Sequence, residues 1–263
     1  MGVRCGLILV LLVAAFLRLW QLQSIPPGIY PDEAQNATDA MQALETRQLR
    51  VFYPANNGRE GLFNNLTALS FALFGISIWS FKIVPALAGI LTVLGQYLLS
   101  KELLVNILNR KRAELAALLA AFLLAVSFWH INFSRIQFRA ILLPLVLSFA
   151  FFFLLQGMRT RKLWNFAAAG IVYGLGFYTY ISFRLSILLA AAALLIWFFQ
   201  AAKEHWGKRF IVSACMFSFL ALAVAAPLFL YFFLNPEFFI SRAEGVSIFS
   251  KENPLAAFGE SLG

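Results

Sequence analysis

Seven runs of apolar residues punctuate this chain, at about 6–22, 83–100, 114–131, 141–157, 164–181, 185–201 and 210–233. Each is close to the roughly 20 residues a straight helix needs to cross a hydrocarbon core. The shorter ones reach that length by borrowing flanking aromatic residues. Most polar connections between the runs are brief. Two are long: one covers about 23–82, and the other begins near 234 and continues to Gly263. The first opens on a proline-rich turn and passes into a polar helical stretch from Asp32 to Gln48. The pattern predicts an all-α integral membrane protein with about seven transmembrane helices and interfacial helices in its first outer loop.

Residues 61–79 need arbitration. Leu62, Leu66, Leu69 and Leu73 recur at helical spacing, while Asn65 and Ser70 break the apolar character elsewhere. We read the segment as an amphipathic helix in the outer interface, with a buried re-entrant position as the alternative.

Composition supports lipid as the solvent. Of 263 residues, 61% are hydrophobic and 13% charged, more apolar surface than a water-soluble domain can hide. A net charge of +9 would suggest nucleic acid in a soluble protein, but its placement gives another meaning. With Arg4 inside, the N-terminus and the loops 101–113, 158–163 and 202–209 carry eleven cations against Glu102, Glu114 and Glu204. The outer segments balance. This bias orients the chain with its N-terminus cytoplasmic and both long connections outside. Counting 61–79 as a span would invert it. Cys5 and Cys215 imply no disulfide framework and are read as reduced packing residues. The first apolar run, with one preceding basic residue and no small-residue cleavage site after it, is read as a retained anchor.

The candidate chemistry lies on the outer side. Asp32 and Glu33 follow Pro31, just beyond the first span. They suit a helix start, where acids meet favourable backbone dipoles; they equally suit acid–base work on a substrate whose tail stays in the bilayer. Arg135 and Arg139 are four apart in the turn between the third and fourth spans, so a helix projects both from one face. Arg184 closes the run Tyr178-Thr179-Tyr180-Ile181-Ser182-Phe183-Arg184, and the first loop adds Arg59 and Glu60. Arginines on this side oppose the orientation signal. They fit snorkelling and loop pairing singly, and an anionic phosphate ligand as a group. Arg18 is read as snorkelling from the end of the first span. His130 is read as interfacial packing, and His205 as a solvated loop residue. Tyr178, Tyr180, Phe133 and Phe138 fit an aromatic belt and equally a sugar-stacking surface. The triplets beginning at Asn36 and Asn65 match a glycosylation pattern to which no role is given. No metal-ligand spacing stands out.

Together these residues resemble the GT-C superfamily of membrane glycosyltransferases, in particular its bacterial branch related to dolichyl-phosphate-mannose–protein mannosyltransferases. The resemblance rests on Pro26 to Glu33, on Arg59-Glu60-Gly61-Leu62-Phe63 and on Leu73-Phe74-Gly75. It continues through Lys82 to Glu102, the Ser134 to Arg139 turn and the run from Tyr178 to Arg184. Gly61 stands where that family often has proline, and Lys82 where arginine is common. The resemblance implies an inverting transferase, acting at the outer face of the plasma membrane on a polyprenyl-phosphate-linked sugar. Its acceptor would be a lipid, glycan or protein. Asp32 and Glu33 would be catalytic; Arg59, Glu60, Arg135, Arg139, Tyr180 and Arg184 would bind substrate. Metal use varies within the family, and no ligand set here assigns a divalent ion. Residues 1–263 would then form one membrane module, the N-terminal part of a longer enzyme. A transporter or flippase for an anionic lipid or small anion is the alternative. It needs a polar path through the midplane, where Thr92, Gln96, Ser213 and Ser218 are few.

Overall fold

The computed structural model describes residues 2–55, 58–203 and 207–239; His205, Asn56, Asn57 and the second long outer connection from 240 onward lie outside them. Ten α-helices and one short hairpin follow in order: α1 (Val3–Leu19), α2 (Pro31–Thr46), β1 (Phe52–Tyr53), β2 (Arg59–Glu60), α3 (Leu62–Phe74), α4 (Ile78–Leu104), α5 (Arg110–Ala125), α6 (Phe128–Arg135), α7 (Leu142–Thr160), α8 (Leu163–Gly176), α9 (Ser186–Lys203) and α10 (Gly207–Leu234). Single 3-10 turns, Arg139–Ile141 and Ile181–Leu185, lead into α7 and α9.

The chain is a helical membrane protein, and four to five of its helices, among the described residues, are crossing candidates by length and composition. Among the described residues, four helices are long and apolar enough to cross a bilayer: α4, and α7, α9 and α10, the first two of these three together with their leading turns. A fifth crossing arises if α5 and α6, bent by 57° at a short break, are one broken span. The 17 residues of α1 lie at the short end of the crossing range, and the 14 of α8 lie below it. The apolar run at 164–181 is cut because Phe177 to Tyr180 form turns rather than helix.

Helix packing uses small residues. Along α5, Ala113, Ala117, Ala121 and Ala125 recur every fourth position and are all buried. They form a smooth stripe against α1 and α4, as suits helices whose association depends on close backbone approach. On α8, a Cβ at Gly170 would sit 2.5 Å from the Phe217 carbonyl oxygen of α10, and one at Gly174 would sit 2.6 Å from that of Ala221. Only glycine lets these two helices lie so close. Around them Phe166, Tyr173, Phe183, Trp197 and Phe217 fill the core between α7, α8, α9 and α10.

The segment expected to lie in the interface is α3, 13 residues long and about 20 Å from end to end. Its polarity is reversed relative to a water-soluble helix. Asn64, Thr67 and Ser70 are buried, while Leu66, Leu69, Leu73 and Phe74 are exposed. A helix that shows leucines outward and hides amides and hydroxyls matches a lipid environment. Gly61 ahead of it donates its N–H to the Val51 carbonyl at 2.9 Å, and a Cβ there would lie 1.9 Å from the Arg50 oxygen. That accounts for glycine at this place rather than proline, which lacks the donor.

Three readings are corrected by the packing. Arg18 does not snorkel: it is fully buried. The break between α5 and α6 frees carbonyls, and Arg18 donates to that of Ala125 at 3.0 Å, to Ser134 Oγ at 3.2 Å and to His130 Nδ1 at 2.7 Å. His130 is correspondingly a buried partner of Arg18 rather than an interfacial ring. Cys5 and Cys215 are free but exposed on the helix surface, so neither packs a core.

Candidate functional site

The first-loop elements, the α6–α7 turn and the α8–α9 turn converge at one end of the bundle. The point of attachment is Glu33. It lies in the first turn of α2, is buried, and accepts the Tyr30 N–H through Oε2 at 2.8 Å. Its Oε1 accepts the backbone N–H of Gln137 at 2.6 Å. One carboxylate therefore caps its own helix and ties it to the turn that carries Arg139 two residues later. Asp32, the next residue back, is exposed.

Below Glu33 runs a buried polar network that sequence reasoning missed. Asp39 forms an ion pair with Arg59 at 2.7 Å and accepts from Asn64 Nδ2 at 2.9 Å and from Gln35 Nε2 at 3.2 Å. Asn36 accepts from Arg59 at 2.9 Å and donates to the Gln137 carbonyl at 2.9 Å. Gln137 in turn donates to Thr67 Oγ1 at 2.7 Å. The network locks α2, β2, α3 and the α6–α7 turn together. Burial raises the Asp39 carboxyl above its ordinary value even though Arg59, Gln35, Arg50 and Asn64 all act to lower it. Asn36, the first residue of one glycosylation-like triplet, is consumed here.

A second cluster sits beside the first. Arg139 donates to Glu60 Oε2 at 2.9 Å, with both side chains buried, and its guanidinium lies 5.4 Å from the Tyr180 ring centroid. The Leu62 N–H donates to the Tyr178 carbonyl at 3.2 Å, joining the hairpin to the α8–α9 turn. Arg184 lies over the rings of Phe239 at 4.5 Å and Phe232 at 5.2 Å and donates to the Phe239 carbonyl at 2.8 Å. Phe52 of the hairpin packs on Leu228 and Phe232 of α10, which fixes that side. Phe133 stacks on Phe138 at 5.1 Å, and Phe138 meets Tyr180 at 6.2 Å, so a row of rings leads along the turn to Arg139.

Of the expected residues, the fold gathers Glu33, Glu60, Arg139 and Tyr180 and leaves Asp32 open beside them. Arg184 lies at the α10 side of the same end. Two arginines behave otherwise than expected. Arg135 donates to the carbonyls of Leu17 at 2.8 Å, Trp20 at 2.6 Å and Ile25 at 2.9 Å; it fastens the end of α1. Arg59 is buried against Asp39 and Asn36. In this arrangement both guanidinium groups tie neighbouring elements together. Among the described residues, no three His, Cys, Asp or Glu side chains gather as a metal site would need.

Next to this end lies an apolar groove of about 240 Å³ between α3, α4 and α7, lined by Leu66, Leu69, Leu73, Leu87 and Leu145. Leu142, three residues after Arg139, also lines it.

The fold thus defines a helical membrane bundle with an acid–arginine cluster in its loops at one end. The sequence pattern of the dolichyl-phosphate-mannose-protein mannosyltransferase family matches residues 62–231, more than half of the chain. The chain belongs to that family, and so to the membrane glycosyltransferases of GT-C type. No curated protein matches it.

Proposed function

We propose that the chain transfers a sugar from a polyprenyl-phosphate-linked donor to an acceptor hydroxyl at the outer face of the cell membrane, with inversion at the anomeric carbon. The observation that carries this reading is the bond from Gln137 N–H to Glu33. It seats the first turn of α2, and with it Asp32, against the turn bearing Arg139. This supports a reading in which a proton acceptor and a cation for phosphate work side by side.

In this reading Asp32 takes the acceptor's hydroxyl proton as that oxygen bonds to the anomeric carbon. The bond from carbon to phosphate oxygen breaks, and its electron pair leaves with the polyprenyl phosphate. Arg139 and Arg184 stabilise the charge that builds on the departing phosphate. Glu60 orients Arg139, and the Tyr180 ring offers a face to the sugar or its cation partner. The leucine-lined groove beside Leu142 receives the start of the isoprenoid tail. Glu33 positions Asp32 without entering the reaction, while Arg59 and Arg135 hold the loop elements in place.

The test is Asp32→Asn in the full-length protein, reconstituted in lipid with a polyprenyl-phosphate sugar. Transfer should fall about 10²–10⁴-fold, the usual contribution of a general base, while donor binding persists. Transfer at the wild-type rate would overturn the assignment.

A further inference from the structure

We infer that Lys82 is a positioning residue for the transfer step: it holds the Pro26 carbonyl and faces the charge of Glu33, and so sets where the first turn of α2 carries Asp32. The inference rests on the proposed role of Asp32 and adds the residue that keeps it in place.

Lys82 lies near the start of α4 and is fully buried, a costly place for an ammonium group that lacks partners. Its Nζ donates to the Pro26 carbonyl at 3.1 Å. A carbonyl by itself calls for no charge, since any neutral donor satisfies it. The charge has its counterpart in Glu33, the acid whose field acts on Lys82, while Arg135 is the neighbouring cation. Glu33 is buried and accepts the N–H groups of Tyr30 and Gln137. Lys82 supplies the countercharge that a buried carboxylate requires.

The segment held in this way contributes little packing of its own, for Pro27 to Asp32 are exposed. Just before it, Leu22 packs against Ile83 and Ala86 of α4, and Arg135 donates to the Ile25 carbonyl at 2.9 Å. The successive carbonyls of Ile25 and Pro26 are thus gripped by cations from α6 and α4. From that grip to Asp32 the chain runs through Pro26, Pro27 and Pro31, whose fixed φ angles pass a displacement along rather than absorb it. A base must come within hydrogen-bond reach of the proton it takes, and a misplacement of about 1 Å costs up to about a hundred-fold in rate. Lys82 therefore governs the chemical step. Donor binding falls to Arg139 and Arg184, which stand on other segments.

The test compares Lys82→Met, Lys82→Arg and Asp32→Asn in the full-length protein, reconstituted in lipid with a polyprenyl-phosphate sugar. Transfer kinetics are read beside amide hydrogen exchange at Tyr30 and Gln137, the two N–H groups bonded to Glu33. In Lys82→Met, kcat should fall about ten- to a hundred-fold at unchanged donor KM. Exchange at both amides should quicken about ten-fold. Lys82→Arg keeps the charge and the reach, and should restore both readings. Should Lys82→Met fail to fold, Lys82→Gln, which keeps a donor but neither charge nor reach, takes its place with the same expectations. Unchanged kcat or unchanged exchange would overturn the inference, as would an equal loss in Lys82→Arg. A raised donor KM at wild-type kcat would overturn it too, by placing Lys82 in donor binding. A wild-type rate in Asp32→Asn would strike the base assignment and this inference with it. A slow Asp32→Asn beside a fast Lys82→Met would strike this inference alone.

Discussion

Arg18 and Arg135 lie where α1 meets α6, and Arg139 and Arg184 lie at the loop cluster a few residues away; these two pairs of arginines do opposite work. The first pair donates chiefly to backbone carbonyls, Arg18 to the end of α5 and Arg135 to the end of α1 and the turn after it. The second pair faces a carboxylate and aromatic rings: Glu60 and Tyr180 for Arg139, Phe232 and Phe239 for Arg184. A helix end inside a membrane has no water to satisfy its last carbonyls, so a long cation can serve as its cap. An arginine placed over an aromatic ring is instead held by a group that a stronger anion can displace or share. Charge alone does not mark a binding arginine; the kind of acceptor around it does.

The sharpest way to break this contrast is Arg18→Met. It fits the apolar surroundings but strands the carbonyls of α5, and each buried unsatisfied group costs about 1–3 kcal/mol. The protein should lose about 3 kcal/mol of stability or more, read as a lowered unfolding temperature in detergent. An unfolding temperature equal to wild type would mean that the α5 end needs no cap. Arg184→Gln is the counterpart. Because Arg184 is only half-buried, we expect stability to change by no more than about 1 kcal/mol. Donor affinity, measured by titration with a polyprenyl-phosphate sugar, should fall roughly ten-fold. If stability drops as far as in Arg18→Met, Arg184 belongs with the structural pair.

A smaller effect concerns how the hairpin meets α3. Gly61→Ala puts a methyl group against the Arg50 carbonyl oxygen, and such overpacking costs about 1–3 kcal/mol. The loss should show as faster proteolysis within the first loop, with the α7–α10 core unaffected. Cleavage at the wild-type rate would show that the hairpin yields without strain.

What could be read beforehand followed the physics of each signal. Apolar runs and basic loops located the helices because lipid punishes polar backbone and charge wherever they are exposed. The same signals misplaced the end of α8, since the run at 164–181 contains Phe177 to Tyr180, which turn rather than continue the helix, and hydropathy does not register such a turn. The Asp32–Glu33 pair and the three arginine-bearing segments drew attention because charge near lipid is costly. Which residue does what was hidden. Glu33 and Asp32 are neighbours in sequence, yet the 100° step between helix neighbours sends one inward to Gln137 and leaves the other exposed. Asp39 went unnoticed among ordinary polar residues of α2. Its signal was the spacing of Glu33, Asn36, Ala40 and Ala43, a buried helical stripe whose first members are polar. Such a stripe implies partners on other elements, but only the fold names Arg59, Asn64 and Gln137.

The Asp39 network gives the mildest and most discriminating test of the buried side of the comparison. Burial is the largest influence on this carboxyl and raises it above its ordinary value of 3.8. The folded protein therefore holds the proton more tightly than the unfolded chain does. The resulting stabilisation is complete below the unfolded value and is lost as pH rises through the higher folded one. Near neutrality Asp39 is then a charge that Arg59 only partly compensates, consistent with buried ion pairs that specify geometry at some expense in stability. Asp39→Asn removes the titration and retains a side chain that can still accept from Asn64 and Arg59. Unfolding temperatures of both proteins, measured from about pH 4 to pH 7 on either side of the ordinary carboxyl range, should converge or cross in favour of wild type as the pH falls. The opposite trend, with wild type gaining on the variant as the pH rises, would mean that Arg59 outweighs burial. Asp39 and Arg59 would then be a net source of stability, and the line drawn here between structural and ligand-facing arginines would have to be moved to include Arg59 among the strongly paired.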